Sequence, residues 1–382
     1  MKMKQLTIGA WVAMGIFGLP LMAQDKVEKP DDGQAKVQLA ILLDTSNSMD
    51  GLIEQAKTQL WRIVNTFIDA KQNGQVPFVE VALYEYGNSG LVPKEYWIRQ
   101  IQPLTRDLDK ISEELFGLRT NGGQEFCGAV VQRATGELKW DKSPDVYKAV
   151  FIAGNEAFTQ GPIDASEACR EAIAKGVIVN TIHCGDETTG ISGGWKSGAV
   201  LADGSFMIID SNKAVVHIDA PQDAEIVRLN EELNKTYLAY GREGAAGAAN
   251  QVAQDKNAEA KAAAGAAVQR AVAKASVNYS NDRWDLVDAR AKKDFDWADV
   301  ADEELPEELR GLDDAERDKK IADLRGQRAE IQKQIATLNT ERRKFVDTKM
   351  KEAGEGEEDT LDAVMSKTVR EQAVKKGYEF AK

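Results

Sequence analysis

The chain has 382 residues, 43% of them hydrophobic and 29% charged, with a formal net charge of -13 at pH 7. That length exceeds one ordinary domain, so a core domain with an appended region is expected. The acidic balance repels nucleic acid and anionic membrane surfaces, so neither is an expected partner.

Lys2 and Lys4 precede an apolar stretch over residues 6–22 that ends at Ala23 and gives way to Gln24, Asp25 and Lys26. This reads as a secretory signal peptide over 1–23, cleaved after Ala23, with a polar linker over 24–36. Export to a periplasm or to the extracellular space follows. The apolar stretch reaches the lower end of spanning length, so a membrane anchor is expected only if it stays uncut.

Residues 37–43 form an apolar run, interrupted only by Gln38, that ends on Asp44-Thr45-Ser46-Asn47-Ser48. Leu52, Ile53, Ala56, Leu60, Ile63, Val64 and Phe67 then recur at helical spacing, with Glu54, Lys57 and Arg62 on the opposite side. Apolar runs at 78–84 and 97–104 flank the turn residues Gly87-Asn88-Ser89-Gly90 and read as neighbouring strands. Helices are expected over 108–118 and 128–138, a strand over 147–152, a helix over 165–174 and a strand over 177–184. The order β-α-β-β-α-α-β-α-β predicts an α/β fold with a doubly wound, mostly parallel sheet. A strand over 206–210 closes an edge or forms a small hairpin on it, and Asp223 caps a helix whose Ile226, Leu229, Leu233, Tyr237 and Tyr240 pack onto the sheet domain, ending at Gly241.

A buried strand that delivers one carboxylate and two hydroxyls to its carboxyl end supplies half of an oxygen shell for a hard divalent cation. The D-x-S-x-S pattern in this context resembles the von Willebrand factor A domain, whose metal-ion-dependent adhesion site opens with the same motif on its first strand. The resemblance covers roughly residues 36–240 and implies a Rossmann-like fold with one antiparallel edge strand. It implies Asp44, Ser46 and Ser48 as metal ligands, with Mg2+, Ca2+ or Mn2+ as the cofactor. A protein partner, whose acidic side chain completes the shell, follows from the same resemblance. The family usually adds a threonine and an aspartate from other loops, and this chain departs at both. Where Gly-Gly-Thr is usual it reads Gly122-Gly123-Gln124, leaving Thr120 or Glu125 as the ligand. Where Thr-Asp-Gly is usual it reads Ala153-Gly154-Asn155-Glu156, so the aspartate slot falls on Gly154 or Asn155. A ligating Glu125 would leave the ion less attractive to an incoming carboxylate.

Cys127, Cys169 and Cys184 lie in the sheet domain of a chain expected to be exported, so one disulfide and one free thiol are expected. The alternative is three reduced, buried thiols. Gly190-Ile191-Ser192-Gly193-Gly194 matches the nucleophile-elbow pattern but lies in a polar, glycine-rich stretch with no following helix expected, so a hydrolase built on Ser192 is the minor reading. No phosphate-cradling motif follows any strand, and neither an enzymatic role nor a small-molecule substrate is expected. A metal-independent scaffold of the cell envelope is the other alternative.

The domain over 37–241 is followed by a helical extension over 242–382. Residues 245–275 are alanine-rich and helix-favouring. Trp284, Leu286, Val287, Phe295, Trp297 and Val300 form an aromatic cluster expected to dock on the chain's own helices. Ile321, Leu324, Ile331, Ile335, Leu338 and Phe345 follow a heptad over 321–345, with Arg328 and Arg342 in its seam. The two arginines argue against a long parallel zipper and for an antiparallel hairpin with the alanine-rich helix, or for self-association with a partner. One more short helix is expected within 361–380.

Overall fold

The computed structural model describes residues 35–209, 217–260, 265–353 and 361–380. The expected signal peptide and nearly all of the linker lie outside them. The described residues form one compact unit.

β1 (Lys36–Asp44) is buried along its whole length, because its apolar residues serve two faces. Val37, Leu39, Ile41 and Leu43 enter one hydrophobic layer, and Ala40 and Leu42 the other. α1 (Asp50–Thr66), β2 (Ala70–Gln72), β3 (Phe78–Tyr86) and β4 (Ile98–Thr105) follow. After α2 (Leu108–Gly117) and α3 (Cys127–Glu137) come β5 (Tyr147–Gly154), α4 (Ala165–Ala174) and β6 (Ile178–Cys184). The sheet domain continues through α5 (Glu187–Ser192), α6 (Trp195–Leu201) and β7 (Phe206–Ile209).

The six strands run in the order β4-β3-β1-β5-β6-β7. β1 pairs in parallel with β3 and β5, in a register that sets Asp44 opposite Tyr86. β4 is the one antiparallel strand of this sheet, as expected for the edge. The chain leaves β1 toward β3 on one side and returns to β5 on the other, so β1 and β5 flank the topological switch point, where a crevice opens at the carboxyl ends of parallel strands. α3, α4 and Trp195 of α6 cover one face. α1 and α2 cover the other, through Leu52, Ile53, Trp61, Val64, Ile111 and Leu115.

The polar stretch after β6 is helical rather than loop. Asp186 caps α5 by accepting from the Thr189 N–H, and Gly194, in left-handed conformation at φ 95°, turns the chain directly into α6.

Beyond β7 the chain builds a helical layer: α7 (Asp223–Asn234), α8 (Gly244–Ala260), α9 (Ala266–Lys274), α10 (Leu286–Ala289) and the long α11 (Asp314–Ala353). The chain then returns through α12 (Leu361–Val374) and β8 (Tyr378–Phe380). α7 was expected to pack on the sheet. Instead Ile226, Leu229 and Leu233 bury against Val268, Ala271 and Val272 of α9 and Ile335 of α11. The helix lying beside α1 on the sheet is α12, whose Met365, Val369 and Ala373 join the main core together with Tyr378. Its Gln372 accepts from the Tyr147 hydroxyl at 2.7 Å and donates to Asn180 at 2.8 Å, tying it to β5 and β6. The Tyr378 hydroxyl donates to the Lys36 carbonyl, and β8 pairs antiparallel with β2.

The aromatic cluster does dock on the chain's own helices: Trp297, Leu286 and Val287 pack with Leu238 and with Ile321 of α11. The seam of α11 is filled by α7, α9 and α10, not by the whole alanine-rich stretch as a hairpin partner. Its arginines are the anchors of that packing. Arg328 reaches Asp285 at 2.7 Å and Asp288 at 2.8 Å and stacks over Tyr237, and Arg342 reaches Asp223 at 2.6 Å. A second buried network joins the layer to the sheet domain: Arg270 of α9 bridges Asp109 of α2 and Asp255 of α8, over the Trp61 ring of α1.

The expected disulfide does not form, and all three cysteines are free and buried. Cys184 belongs to the α1 side of the sheet, whereas Cys127 and Cys169 lie on the other, so the sheet separates it from them. Cys127 is turned to the Tyr86 hydroxyl at 3.6 Å. Burial pushes the Cys169 thiol up to about 12, so it stays protonated and inert at neutral pH.

Because α12 and β8 close the main core, a chain ending at residue 353 is expected to lose its cooperative thermal transition. Each large apolar side chain removed from such a core costs about 2–5 kcal/mol, against a total of about 5–15 kcal/mol for a domain. A circular dichroism melt checks this, and an unchanged Tm would show that the sheet does not need its C-terminal helix.

Candidate functional site

The crevice at the switch point is built from four loops. The Ser46 N–H donates to Asp44 Oδ1 at 2.8 Å, folding the motif into a tight turn, and a short 3-10 turn over Asn47–Met49 leads into α1. That turn brings the Ser46 and Ser48 hydroxyls within 3.3 Å of each other. From the loop after β5, Asn155 donates its amide to the Ser48 hydroxyl at 2.9 Å. From the loop before α3 comes the buried Glu125. The Thr45 N–H donates to Tyr86 O at 2.9 Å and the Asn121 N–H to Thr45 O at 3.0 Å, which locks the loops after β3 and α2 onto the end of β1.

Two glycines create the space. A methyl group on Gly87 would lie 2.8 Å from both Asp44 Oδ1 and Glu125 Cγ, so the two carboxylates share the room that residue 87 leaves open. A methyl group on Gly154 would lie 2.5 Å from the Tyr86 hydroxyl and 3.2 Å from Asp44 Oδ2. The first position of the expected aspartate slot is thus filled by Tyr86, whose hydroxyl donates to Ala153 O at 2.9 Å, and the polar group of this loop is Asn155.

Of the expected site residues, Asp44, Ser46, Ser48, Glu125 and Asn155 come together. Thr120 does not: its hydroxyl donates to Asp50 at the exposed start of α1. Gln124 is exposed, whereas Glu125 is buried and shares the space beside Asp44. Glu156 was not among the expected residues, yet its charge acts on both Asp44 and Glu125. Its place beside Asn155 in the loop after β5 was the only available signal. Tyr86 was missed because its role comes from strand register.

Asp44 is fully buried, and its Oδ2 has no hydrogen-bond partner. Burial, and then the charges of Glu125 and Glu156, raise its carboxyl to about 7 against the lowering effect of the Ser46 hydrogen bonds. Asn155 Oδ1 is likewise buried without a partner. Two orphaned oxygens beside two hydroxyls and a second carboxylate are an all-oxygen donor set, the chemistry that suits a hard divalent cation. Among the described residues the His/Cys/Asp/Glu group whose ligand atoms lie within 4.8 Å of one another is His217, Asp219 and Asp223, at the start of α7, where Asp223 also pairs with Arg342.

Ser192 is not arranged as a nucleophile. It ends α5, and its hydroxyl donates to the Thr188 carbonyl at 2.9 Å and the Thr189 carbonyl at 3.2 Å.

No known protein family matches the sequence, and no curated protein matches it. Among solved structures the chain is similar to proximal thread matrix protein 1 from the mussel byssus with a zinc-occupied MIDAS motif, at 15% identity and TM-score 0.36, over 47% of this chain and 43% of that one. It is also similar to the conserved hypothetical protein BatB from Bacteroides thetaiotaomicron, at 18% identity and TM-score 0.35, over 46% of this chain and 90% of that one. The pilus adhesin SpaC from Lactobacillus rhamnosus GG is similar at 15% identity and TM-score 0.34, over 47% of this chain and 28% of that one. The chain therefore spans less than half the length of the thread matrix protein and of the adhesin. The strand order, the antiparallel β4 and the motif at the carboxyl end of β1 give this chain a von Willebrand factor A-like fold.

The raised Asp44 carboxyl has a sign that can be checked. The folded protein holds this proton more tightly than the unfolded chain, so the associated stability is complete near pH 4 and is lost as pH rises to about 7. In chelator, the wild type is expected to lose about 3 kcal/mol between pH 5 and pH 8 relative to Asp44→Asn. Urea denaturation at the two pH values measures it, and equal slopes for the two proteins would contradict the burial argument.

Proposed function

We propose that this protein is an exported interaction module that recognises a protein partner through a surface organised by a divalent cation. The observation that carries the reading is the orphaned Asp44 Oδ2, buried at the end of the central strand where the Ser46 and Ser48 hydroxyls, Asn155 and Glu125 also gather. Asp44, Glu125, Ser46, Ser48 and Asn155 would hold the ion. It would supply fixed positive charge where the fold has concentrated negative charge, and would draw the loops after β1, α2 and β5 into one rigid surface. Mg2+, Ca2+ and Mn2+ all suit oxygen donors.

Export is supported by the two lysines, the apolar stretch and the small residue at its end. Among the described residues no helix is long and apolar enough to cross a membrane. The domain limits proposed for the module are the sheet over 37–241 and the helical region that follows, with residues 361–380 returning to complete the sheet domain.

Isothermal titration of the chelator-stripped protein with Mg2+, Ca2+ and Mn2+ tests the reading. We expect saturable binding of at least one ion and a weakening of tenfold or more in Asp44→Ala. Equal binding by both proteins would place the ion elsewhere, and no binding by the wild type would favour a metal-independent scaffold.

A further inference from the structure

The charge balance of the crevice carries a statement about the partner, and that statement rests on the cation reading above. Asp44 and Glu125 face the same space opened by Gly87, and the exposed Glu156 directly follows Asn155, whose amide reaches the Ser48 hydroxyl at 2.9 Å, which puts it at the mouth. Among the described residues the principal charges acting on these two carboxylates are acidic. Asp50 adds a further acid at the start of α1, held by Thr120 of the loop that also carries Glu125. A divalent ion neutralises two of the three facing carboxylates and leaves one negative charge, with Glu125 already supplying an anionic oxygen from the protein itself. An incoming carboxylate then meets net repulsion at the mouth, and its usual attraction to the metal is spent. An ammonium or guanidinium meets the opposite field, with Glu156 free to accept a charge-assisted hydrogen bond.

We propose that Glu125 and Glu156 invert the preference of this site, so that the partner presents a lysine or arginine side chain at its mouth and not an aspartate or glutamate. Glu125 closes the ion's shell from within, and Glu156 is the residue that contacts the partner's cation.

The test uses two probes on the full chain. First, Ca2+ and Mg2+ titrations are repeated with acetate replacing part of the chloride at constant ionic strength. Cation affinity is expected to change less than twofold in the wild type, and to tighten at least threefold with acetate in the Glu125→Thr/Glu156→Thr variant, whose site is open to a carboxylate. Second, fluorescently labelled tetra-arginine and tetra-aspartate peptides are compared by anisotropy. Tetra-arginine is expected to bind at least tenfold more tightly, and Glu156→Gln to weaken it at least threefold, while Glu307→Gln, an exposed acid of the helical layer, leaves it unchanged. Acetate tightening in the wild type, cation-dependent binding of tetra-aspartate, or equal losses in Glu156→Gln and Glu307→Gln would each overturn the proposal. Failure of the cation reading appears separately, as no heat of binding without acetate, and the peptide comparison then still decides the charge preference of the crevice.

Discussion

A carboxylate buried at the end of the central strand, with one oxygen left without a partner, is the constraint around which this molecule is arranged. Asp44 lies where β1 stops at the switch point, so four loops converge on it. Each gives up something to leave it room. Gly87 and Gly154 carry no side chain, Tyr86 turns its hydroxyl to a carbonyl of β5, and Ser46 spends its backbone N–H on the other carboxylate oxygen. A protein gains nothing in stability from such an arrangement by itself, because burial of an unpaired charge is costly. Placing two more acids nearby raises that cost further. The arrangement makes physical sense when positive charge arrives from outside, first as an ion and then as a partner.

The second half of the chain solves a different problem. The sheet needs a helix beside α1, and the sequence supplies it from its far end. The intervening helices therefore form a layer inserted between the last edge strand and the closing helix. Such a layer has little apolar area of its own, since α8 is rich in alanine. Ion pairs inside it compensate through specificity: Arg270, Arg328 and Arg342 each reach a buried or half-buried aspartate on another helix. Removing one partner of such a pair strands a buried charge, so the pairs fix how the helices dock more than they add net stability.

The sheet domain was legible because its strands are apolar on both faces and its helices are amphipathic, so period and composition agreed. The motif at the end of β1 was legible because the residues that converge are adjacent in sequence. Legibility failed where convergence depends on the tertiary fold. Thr120 and Glu125 are equally good oxygen donors on paper, and only the close approach of the loops after β3 and α2 turns Glu125 inward. Glu156 looks like any exposed acid until the loop that carries it is seen to reach the Ser48 hydroxyl through Asn155. Arg328 and Arg342 looked like flaws in a heptad because their aspartate partners are more than forty and a hundred residues away. That the cysteines belong to the sheet domain was legible, but which face of the sheet each one enters is a matter of register.

The most direct test of the account is anomalous difference density from a crystal of the protein soaked in Mn2+. The account predicts a peak in contact with Asp44 Oδ2 and the Ser46 and Ser48 hydroxyls, at the carboxyl end of β1. A peak at His217, Asp219 and Asp223 with none at Asp44 would contradict it, and would mean that the buried carboxylate is held in its protonated form by the fold alone.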